Sequence, residues 1–199
     1  MTVNKVGRPS KAKERIAQIL RAARSVVAAE GFANTTLSRV AAAAGVQRTL
    51  VLHYFGSRDG LMQAFITDAV AEYGDALVRL GADEPIEHRV TRMFEPGAYA
   101  NRDDLVVWSE LVALAAREPV VRQRLTELWT DRWLPGLEQQ LGTAYPAATA
   151  ERVAATAYAL ACLFEAHWAF HLQGVDSPGR ADQAKQAAHT LLAALDGKA

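Results

Sequence analysis

Apolar residues recur at intervals of three and four along almost the whole chain of 199 residues, which is the spacing of one face of an α-helix. Runs in which β-branched and polar residues alternate, the pattern of a half-buried strand, are lacking. Half of the residues are apolar (50%) and 22% are charged, so the chain is too apolar to be disordered and can form one large or two small cores. The sequence therefore predicts an all-α fold.

Basic residues are concentrated in the first third of the chain. The whole chain has a formal net charge of zero, because 22 Lys and Arg balance 22 Asp and Glu. Residues 1–58 hold ten Lys and Arg and two Asp and Glu, a net charge of +8, so residues 59–199 carry −8. A basic segment joined to an acidic remainder indicates that the first part can meet a polyanion.

Three helices are predicted in this basic third, and the second and third of them are short. The first is predicted over residues 10–31, the second over 36–45 and the third over 47–54, and Ser57 can cap a longer fourth helix. A glycine at residue 45 allows a tight turn between the second and third helices. Two short helices joined by a glycine turn and packed on a first amphipathic helix are typical of a helix-turn-helix module that reads DNA.

Proline marks the helix ends in the rest of the chain. The predicted helices cover residues 86–95, 102–117, 119–141, 147–173 and 178–195. We expect three parts: a flexible basic tail (1–9), a three-helix DNA-binding domain (10–57) and a larger helical domain for effector binding and dimerisation (58–199).

A set of motifs with specific combined spacing lies in the first 65 residues: Gly31-Phe32, Thr35-Thr36, Val40-Ala41, Ala44-Gly45-Val46, Tyr54-Phe55-Gly56-Ser57-Arg58-Asp59 and Leu61. With these motifs, residues 10–65 resemble the N-terminal DNA-binding domain of the TetR family of bacterial transcriptional regulators. The resemblance implies an all-helical homodimer whose C-terminal domain binds a small molecule and releases double-stranded operator DNA.

The resemblance also implies which residues meet DNA: Thr36, Ser38, Arg39, Arg48, Thr49, Leu52, His53, Tyr54 and Arg58. Thr36 and Arg58 match positions that contact phosphate. Arg48 is the strongest base reader, because one guanidinium can address both O6 and N7 of guanine. The third helix departs from the family pattern at Gln47, Thr49, Leu50 and Leu52, where the family usually has Ser, Gly, Thr and Tyr, so the operator sequence cannot be read from this chain.

The basic tail has two alternative interpretations. Gly7-Arg8-Pro9, with nearby lysines, resembles the arginine-containing arms that some DNA-binding proteins lay into the minor groove. A solubilising tail would have the same composition.

Aromatic and polar side chains of the C-terminal region are candidates for an effector pocket: Trp108, Glu110, Trp129, Trp133, Phe164, Trp168 and His171. Aromatic concavities with a few polar groups are how helical bundles hold apolar ligands. The alternative is that these aromatic residues form an ordinary core. His167 and His171 lie four residues apart, as metal ligands do, but without a third spaced ligand we expect packing and no metal or other cofactor.

Two faces of small and apolar residues are predicted to form the dimer seam: Ala155, Ala159, Leu163 and Ala166 on one helix, and Ala184, Ala188, Leu191, Leu192 and Leu195 on the next. Two such helices from each chain would make a four-helix interface. The alternative is that these faces pack within one chain.

Other features indicate a cytoplasmic regulator that is not an enzyme. Cys162 is the lone cysteine, no apolar run is long enough to span a membrane, and no nucleophile–base pair or phosphate loop is visible. We expect a repressor that a small hydrophobic ligand releases from a palindromic operator. The alternative is a DNA-binding protein of the same fold that ignores ligands.

Overall fold

The computed structural model describes residues 11–99 and 101–196, and these residues form helices and connecting turns with no strand. The helices are α1 (Lys11–Asn34), α2 (Leu37–Ala43), α3 (Arg48–Phe55), α4 (Arg58–Arg79), α5 (Ile86–Arg92), α6 (Arg102–Ala115), α7 (Pro119–Glu127), α8 (Leu134–Ala144), α9 (Ala150–Leu172) and α10 (Pro178–Leu195). The predicted all-α fold is confirmed. The predicted tail, residues 1–9, and the predicted cap Ser10 lie outside the described residues.

Contacts divide the chain into two compact units, Met1–Ala69 (unit 1) and Val70–Ala199 (unit 2). The division falls inside α4, which begins at Arg58 and ends at Arg79. The sequence-based boundary between residues 57 and 58 stays a prediction about function.

The core of unit 1 is formed by the apolar stripe of α1 and the inner faces of α2, α3 and α4. Leu20, Ala23 and Val27 of the predicted stripe are buried, and Ile16 is half-buried. The chain leaves the helical conformation at Gly31, where φ is 79°, within the span of α1. Glycine adopts this left-handed region without a steric penalty.

Unit 2 is built around α9, which packs against α6, α8 and α10. Its buried side chains are Val153, Ala157, Leu160, Ala161, Phe164 and Trp168. Among the described residues, α9 is the one helix that is long and apolar enough to cross a membrane by length and composition. In this structure one face of α9 forms part of the core of unit 2.

The predicted helix over residues 119–141 is interrupted. A π-helical segment, Leu128–Trp133, separates α7 from α8, and Pro135 follows it. Proline cannot donate a backbone hydrogen bond and its ring crowds the preceding turn, so a widened turn just before Pro135 has a physical reason.

The prediction that α10 presents its small-residue face to a second chain is wrong for most of that face. Ala184, Ala188, Leu192 and Leu195 are buried within the protomer. The helix packs on α5 as well as on α9, and Thr91 Oγ1 lies 2.9 Å from His189 Nε2 across that contact. The alternative, packing of this face within one chain, is the one that the structure shows.

Candidate DNA-binding surface and effector site

The turn between α2 and α3 is held by local hydrogen bonds. The Thr36 hydroxyl accepts from the Arg39 backbone N–H at 3.3 Å and caps α2. Gly45 has a φ of 64°, and the N–H of Val46 donates to the Ala41 carbonyl at 2.9 Å. These contacts orient the start of α3 relative to α2.

A side chain of α1 also holds this turn in place. Gln18 Nε2 donates to the Ala44 carbonyl at 2.7 Å, across 26 residues of sequence. The turn is therefore tied to the body of unit 1 as well as to α2.

The third helix has one inward and one outward face. Val51 is completely buried, whereas Arg48, Thr49 and His53 are exposed. Leu52, an apolar side chain on the same face, is 40% exposed. The outward face thus offers cationic, polar and apolar groups, the types that read base edges in a major groove.

Two other candidates, Arg39 and Tyr54, are less free than Arg48, Thr49 and His53. Ser38 is exposed, but Arg39 forms an ion pair with Glu30 at 2.6 Å and donates to the Asn34 carbonyl at 2.8 Å. Tyr54 is half-buried and meets the His53 ring edge-on at a centroid distance of 5.3 Å. Arg39 would have to leave Glu30 to neutralise a phosphate.

Arg58 has structural partners that the sequence did not indicate. Its Nε donates to the Thr35 carbonyl and its Nη2 to the Phe32 carbonyl, both at 2.7 Å. The guanidinium thus donates to two carbonyls where α1 ends, and the Phe32 carbonyl also accepts from the Thr35 N–H at 3.3 Å. Its predicted phosphate contact stays a prediction, and the structure adds a part in holding unit 1 together.

Gly60 closes the junction between α3 and α4. A Cβ atom at this position would overlap the carbonyl oxygen of Phe55, a backbone atom that cannot move aside without moving α3. The start of α4 therefore packs directly against the end of the candidate DNA-reading helix.

Unit 2 contains a half-buried carboxylate, Glu165, that lies among aromatic side chains. Glu165 accepts hydrogen bonds from Trp108 Nε1 at 2.9 Å and from the Tyr73 hydroxyl at 3.1 Å. Tyr73 stacks on Trp108 with ring centroids 3.7 Å apart, and its hydroxyl lies 3.0 Å from that of Tyr99. No described residue forms an ion pair with Glu165, so its charge is met by neutral donors.

Burial dominates the titration of this cluster. It raises the pKa of Glu165, while the hydrogen bonds from Trp108 and Tyr73 oppose that rise. Burial, with the nearby Glu165, also raises the pKa of both Tyr73 and Tyr99, so both phenols stay protonated. A charge held in such surroundings favours a cationic partner over water.

The predicted effector aromatics form a chain of ring contacts around this cluster. Centroid distances are 6.1 Å from Trp108 to Trp129, 5.2 Å from Trp129 to Trp133, and 6.1 Å from Tyr99 to Phe164. Sequence reasoning missed the residues at the centre, Tyr73, Tyr99 and Glu165. A signal existed for Glu165, which is the one Asp, Glu, Lys or Arg in residues 153–175.

The same chain of rings continues through Trp168, whose ring centroid is 5.2 Å from that of Tyr99, to His171. Trp168 is buried and donates from Nε1 to the Met93 carbonyl at 3.0 Å, and His171 is exposed, with Nδ1 3.8 Å from an Asp176 carboxylate oxygen. Both line a cavity of about 380 Å³ that Tyr99 also borders. Glu110 is half-buried on α6 and lies outside that cavity.

Comparison with known proteins decides the family. A model of the bacterial regulatory proteins of the tetR family matches residues 19–65. The HTH-type transcriptional regulator BetI of Rhizobium meliloti (strain 1021) is 30% identical over 143 residues, which are 70% of this chain and 70% of that protein. The chain belongs to the TetR family of bacterial transcriptional regulators.

Other comparisons cover most of the chain. BetI 1 of Chromohalobacter salexigens is 28% identical over 183 residues, 86% of this chain and 85% of that protein. A transcriptional regulator from Saccharomonospora viridis, solved in complex with choline, has the same fold with a TM-score of 0.73. It is 19% identical, and the match covers 90% of this chain and 96% of that one.

Membership in the TetR family assigns the α2–turn–α3 segment as the DNA-binding helix-turn-helix of a transcription regulator. The homologues act as regulators of transcription, a role that needs no catalysis.

Proposed function

We propose that this TetR-family protein is a repressor that binds a palindromic operator as a homodimer and is released by a small organic ligand. The observation that carries the proposal is the outward face of α3, where Arg48, Thr49 and His53 are exposed on a helix anchored by the buried Val51. Its segment, residues 1–58, carries a net charge of +8. Basic charge steers a protein to DNA, and side chains of a helix in the major groove supply specificity.

On DNA, Arg48 would read guanine, with Thr49, Leu52 and His53 on neighbouring base edges. Thr36, Ser38, Arg39, Tyr54 and Arg58 would lie nearer the phosphates. Two copies are needed because one short helix in one groove gives little affinity, and half-sites about 34 Å apart double the contacts. Such a protein would work in the cytoplasm, where the operator is.

The dimer seam would lie along α9. Tyr158, Cys162, Ala166 and Phe170 follow one another at intervals of four and are all exposed, with Tyr158 and Phe170 at 64% and 53%. The opposite face of α9 forms the core of unit 2. An exposed apolar stripe of this kind is typical of a surface that a second copy covers.

The effector would be a small organic cation. Glu165 is a carboxylate surrounded by the rings of Tyr73, Tyr99 and Trp108, and it has no cationic partner among the described residues. Quaternary ammonium groups bind in aromatic cages through cation–π attraction, which an enclosed carboxylate strengthens. The choline complex of the Saccharomonospora viridis protein supports this choice over a neutral hydrophobic ligand.

Release would run through α4. Tyr73 touches the candidate effector cluster and lies on the helix whose first residue is Arg58. A ligand that separates Tyr73 from Glu165 would favour a second position of this helix. A coupling free energy of about 1–3 kcal/mol, or about a 5- to 150-fold change in DNA affinity, is typical of such two-state switches.

The test is a DNA-binding titration with matched ligands. A preferred duplex is selected from a random library with the purified full chain, and its affinity is measured by fluorescence anisotropy with choline or with 3,3-dimethyl-1-butanol, the neutral carbon analogue. We expect choline to weaken DNA binding and the neutral analogue to have little effect. If the duplex binds tightly but no cation changes its affinity, the protein is the ligand-insensitive alternative; chemical turnover of choline would indicate an enzyme.

A further inference from the structure

Unit 2 also contains a buried side chain of the opposite charge, Arg89 on α5. Only 6% of the residue surface is exposed. Its Nη1 donates to Gln140 Oε1 at 2.6 Å, and this is the one side-chain hydrogen bond that the described residues give it. No described carboxylate forms an ion pair with it.

This arrangement is costly for a guanidinium. The group carries five N–H donors and keeps its proton at any physiological pH, so burial leaves both a charge and several donors to be satisfied. Burial lowers the pKa of Arg89, and no nearby acid opposes that effect.

Arg89 borders a cavity of about 480 Å³ between the end of α4, the start of α5 and α8. Apolar groups of Val78, Ala82, Pro85, Ile86 and Trp133 line one part of it, and Gln139, Gln140 and Thr143 line another. The volume lies within the range of small-molecule sites, and apolar walls with a few polar groups are their usual lining.

The other charged groups at this cavity are already paired. Arg132 Nη2 lies 2.6 Å from Asp75 Oδ1, and Glu84 Oε1 lies 2.6 Å from Arg92 Nη1. Arg89 is therefore the single uncompensated charge, and one negative charge would balance it. A monocarboxylate fits this count and matches the planar guanidinium, whereas a phosphate dianion would need a second free cation.

The backbone holds Arg89 in this place. Gly81, with a φ of 62°, lies so close that a Cβ there would approach Arg89 Cγ to 2.9 Å. Gln140, which accepts from Arg89, donates in turn to the Glu84 carbonyl at 3.0 Å. A side chain fixed in advance loses little conformational entropy when a ligand arrives.

The geometry points to a binding site for a small organic monocarboxylate at Arg89, in which the carboxylate pairs with the guanidinium and an apolar body lies against Trp133 and Ile86. The lining does not include Tyr73, Tyr99, Trp108 or Glu165, although Trp133 connects to Trp108 through the ring of Trp129. This site is distinct from the proposed effector site, and each can fail without the other.

Calorimetric titration of the purified full chain with benzoate tests the site, with benzamide as the neutral isostere and inorganic phosphate as the alternative anion. We expect benzoate to bind at one site per chain, and benzamide and phosphate to bind at least tenfold more weakly. Arg89→Met should weaken benzoate binding at least tenfold. Arg117→Met, which removes the same charge from an exposed position outside the cavity, should leave it unchanged.

A second variant keeps the test decisive if Arg89→Met does not fold. Gly136 lines the cavity, and a Cβ at that position meets no atom within 4 Å, so Gly136→Leu starts from an unhindered Cβ, adds bulk at the cavity and favours the helix. It should abolish benzoate binding while the melting temperature is kept or raised. Benzoate binding that survives both variants, equal affinity for benzamide, tighter binding of phosphate, or no benzoate binding to the unmodified protein would overturn the proposal.

Discussion

The two units of this regulator present their functional side chains in opposite ways. In unit 1 the candidate DNA-reading residues Arg48, Thr49 and His53 are exposed on a short helix. In unit 2 the candidate effector residue Trp108 is buried, and Glu165, which accepts a hydrogen bond from it, is half-buried. The partner explains the difference, because DNA is too large to enter a protein, whereas a small cation can be surrounded and desolvated.

The sharpest test of this comparison removes the charge of Glu165 in unit 2. Replacing Glu165 with Gln keeps the shape of the side chain but removes the charge that would meet an organic cation. We expect choline to bind more weakly by about 2 kcal/mol or more, which is about 30-fold. Calorimetry measures the affinity for choline, and anisotropy checks that DNA binding without ligand is kept.

Glu151→Gln is the matched control, since it removes the same charge from an exposed position on the same helix. If both variants bind choline as the unmodified protein does, Glu165 is only a core residue and unit 2 does not hold a cation there.

The exposed side of the comparison is tested at Arg48. Arg48→Ala should weaken binding to the selected duplex by about 1–3 kcal/mol and relax the preference for guanine at one position of each half-site. Arg117→Ala, which removes one charge from unit 2, should have a much smaller effect. Binding of a duplex library by both variants measures affinity and preference together, and unchanged preference in Arg48→Ala would place another residue on the base edge.

Arg58 breaks the simple contrast, because it is partly exposed but holds unit 1 together. We expect Arg58→Ala to lower the free energy of unfolding by about 1–2 kcal/mol, because its hydrogen bonds to the Thr35 and Phe32 carbonyls are lost. The effect is moderate because the side chain is 40% exposed. Urea denaturation followed by circular dichroism measures this change. A variant with unaltered stability but weaker binding to all DNA would show that phosphate contact is the main role of Arg58.

The smallest expected effect concerns the start of α3. Gln47 makes no side-chain cap, whereas Thr36 caps α2. Gln47→Ser should raise the free energy of unfolding by about 0.5–1 kcal/mol. The same denaturation experiment measures it, with Thr36→Ala, which should lose about 1 kcal/mol, as the opposite control. A Gln47→Ser variant no more stable than the original would show that the exposed start of α3 gains nothing from a cap.

Much of unit 1 could be predicted from sequence because local rules determine it. The hydroxyl of Thr36, the turn at Gly45 and the inward position of Val51 each follow from residues a few positions apart. Helical periodicity then fixes which side of α3 faces outward. The partners of Arg58 could not be predicted in this way, because they are carbonyls 23 and 26 residues earlier.

Unit 2 was less predictable because its central contacts join distant parts of the chain. Tyr73 and Glu165 are 92 residues apart in sequence and meet through tertiary packing. The same limit explains the wrong seam on α10, where the periodicity marked an apolar face correctly but could not distinguish helices of the same chain, α5 and α9, from a second copy. Composition indicated aromatic residues in this region but not the carboxylate among them.

The close approach at Gly60 has a practical consequence for redesign. Residues 48, 49, 52 and 53 have exposed side chains and can be exchanged to direct the protein to new operators. Residue 60 does not touch those side chains, yet any larger residue there would push against the Phe55 carbonyl and re-aim the whole helix. A library built to change DNA preference should therefore vary the exposed residues of α3 and keep glycine at position 60, because this glycine preserves the orientation of α3 relative to α4.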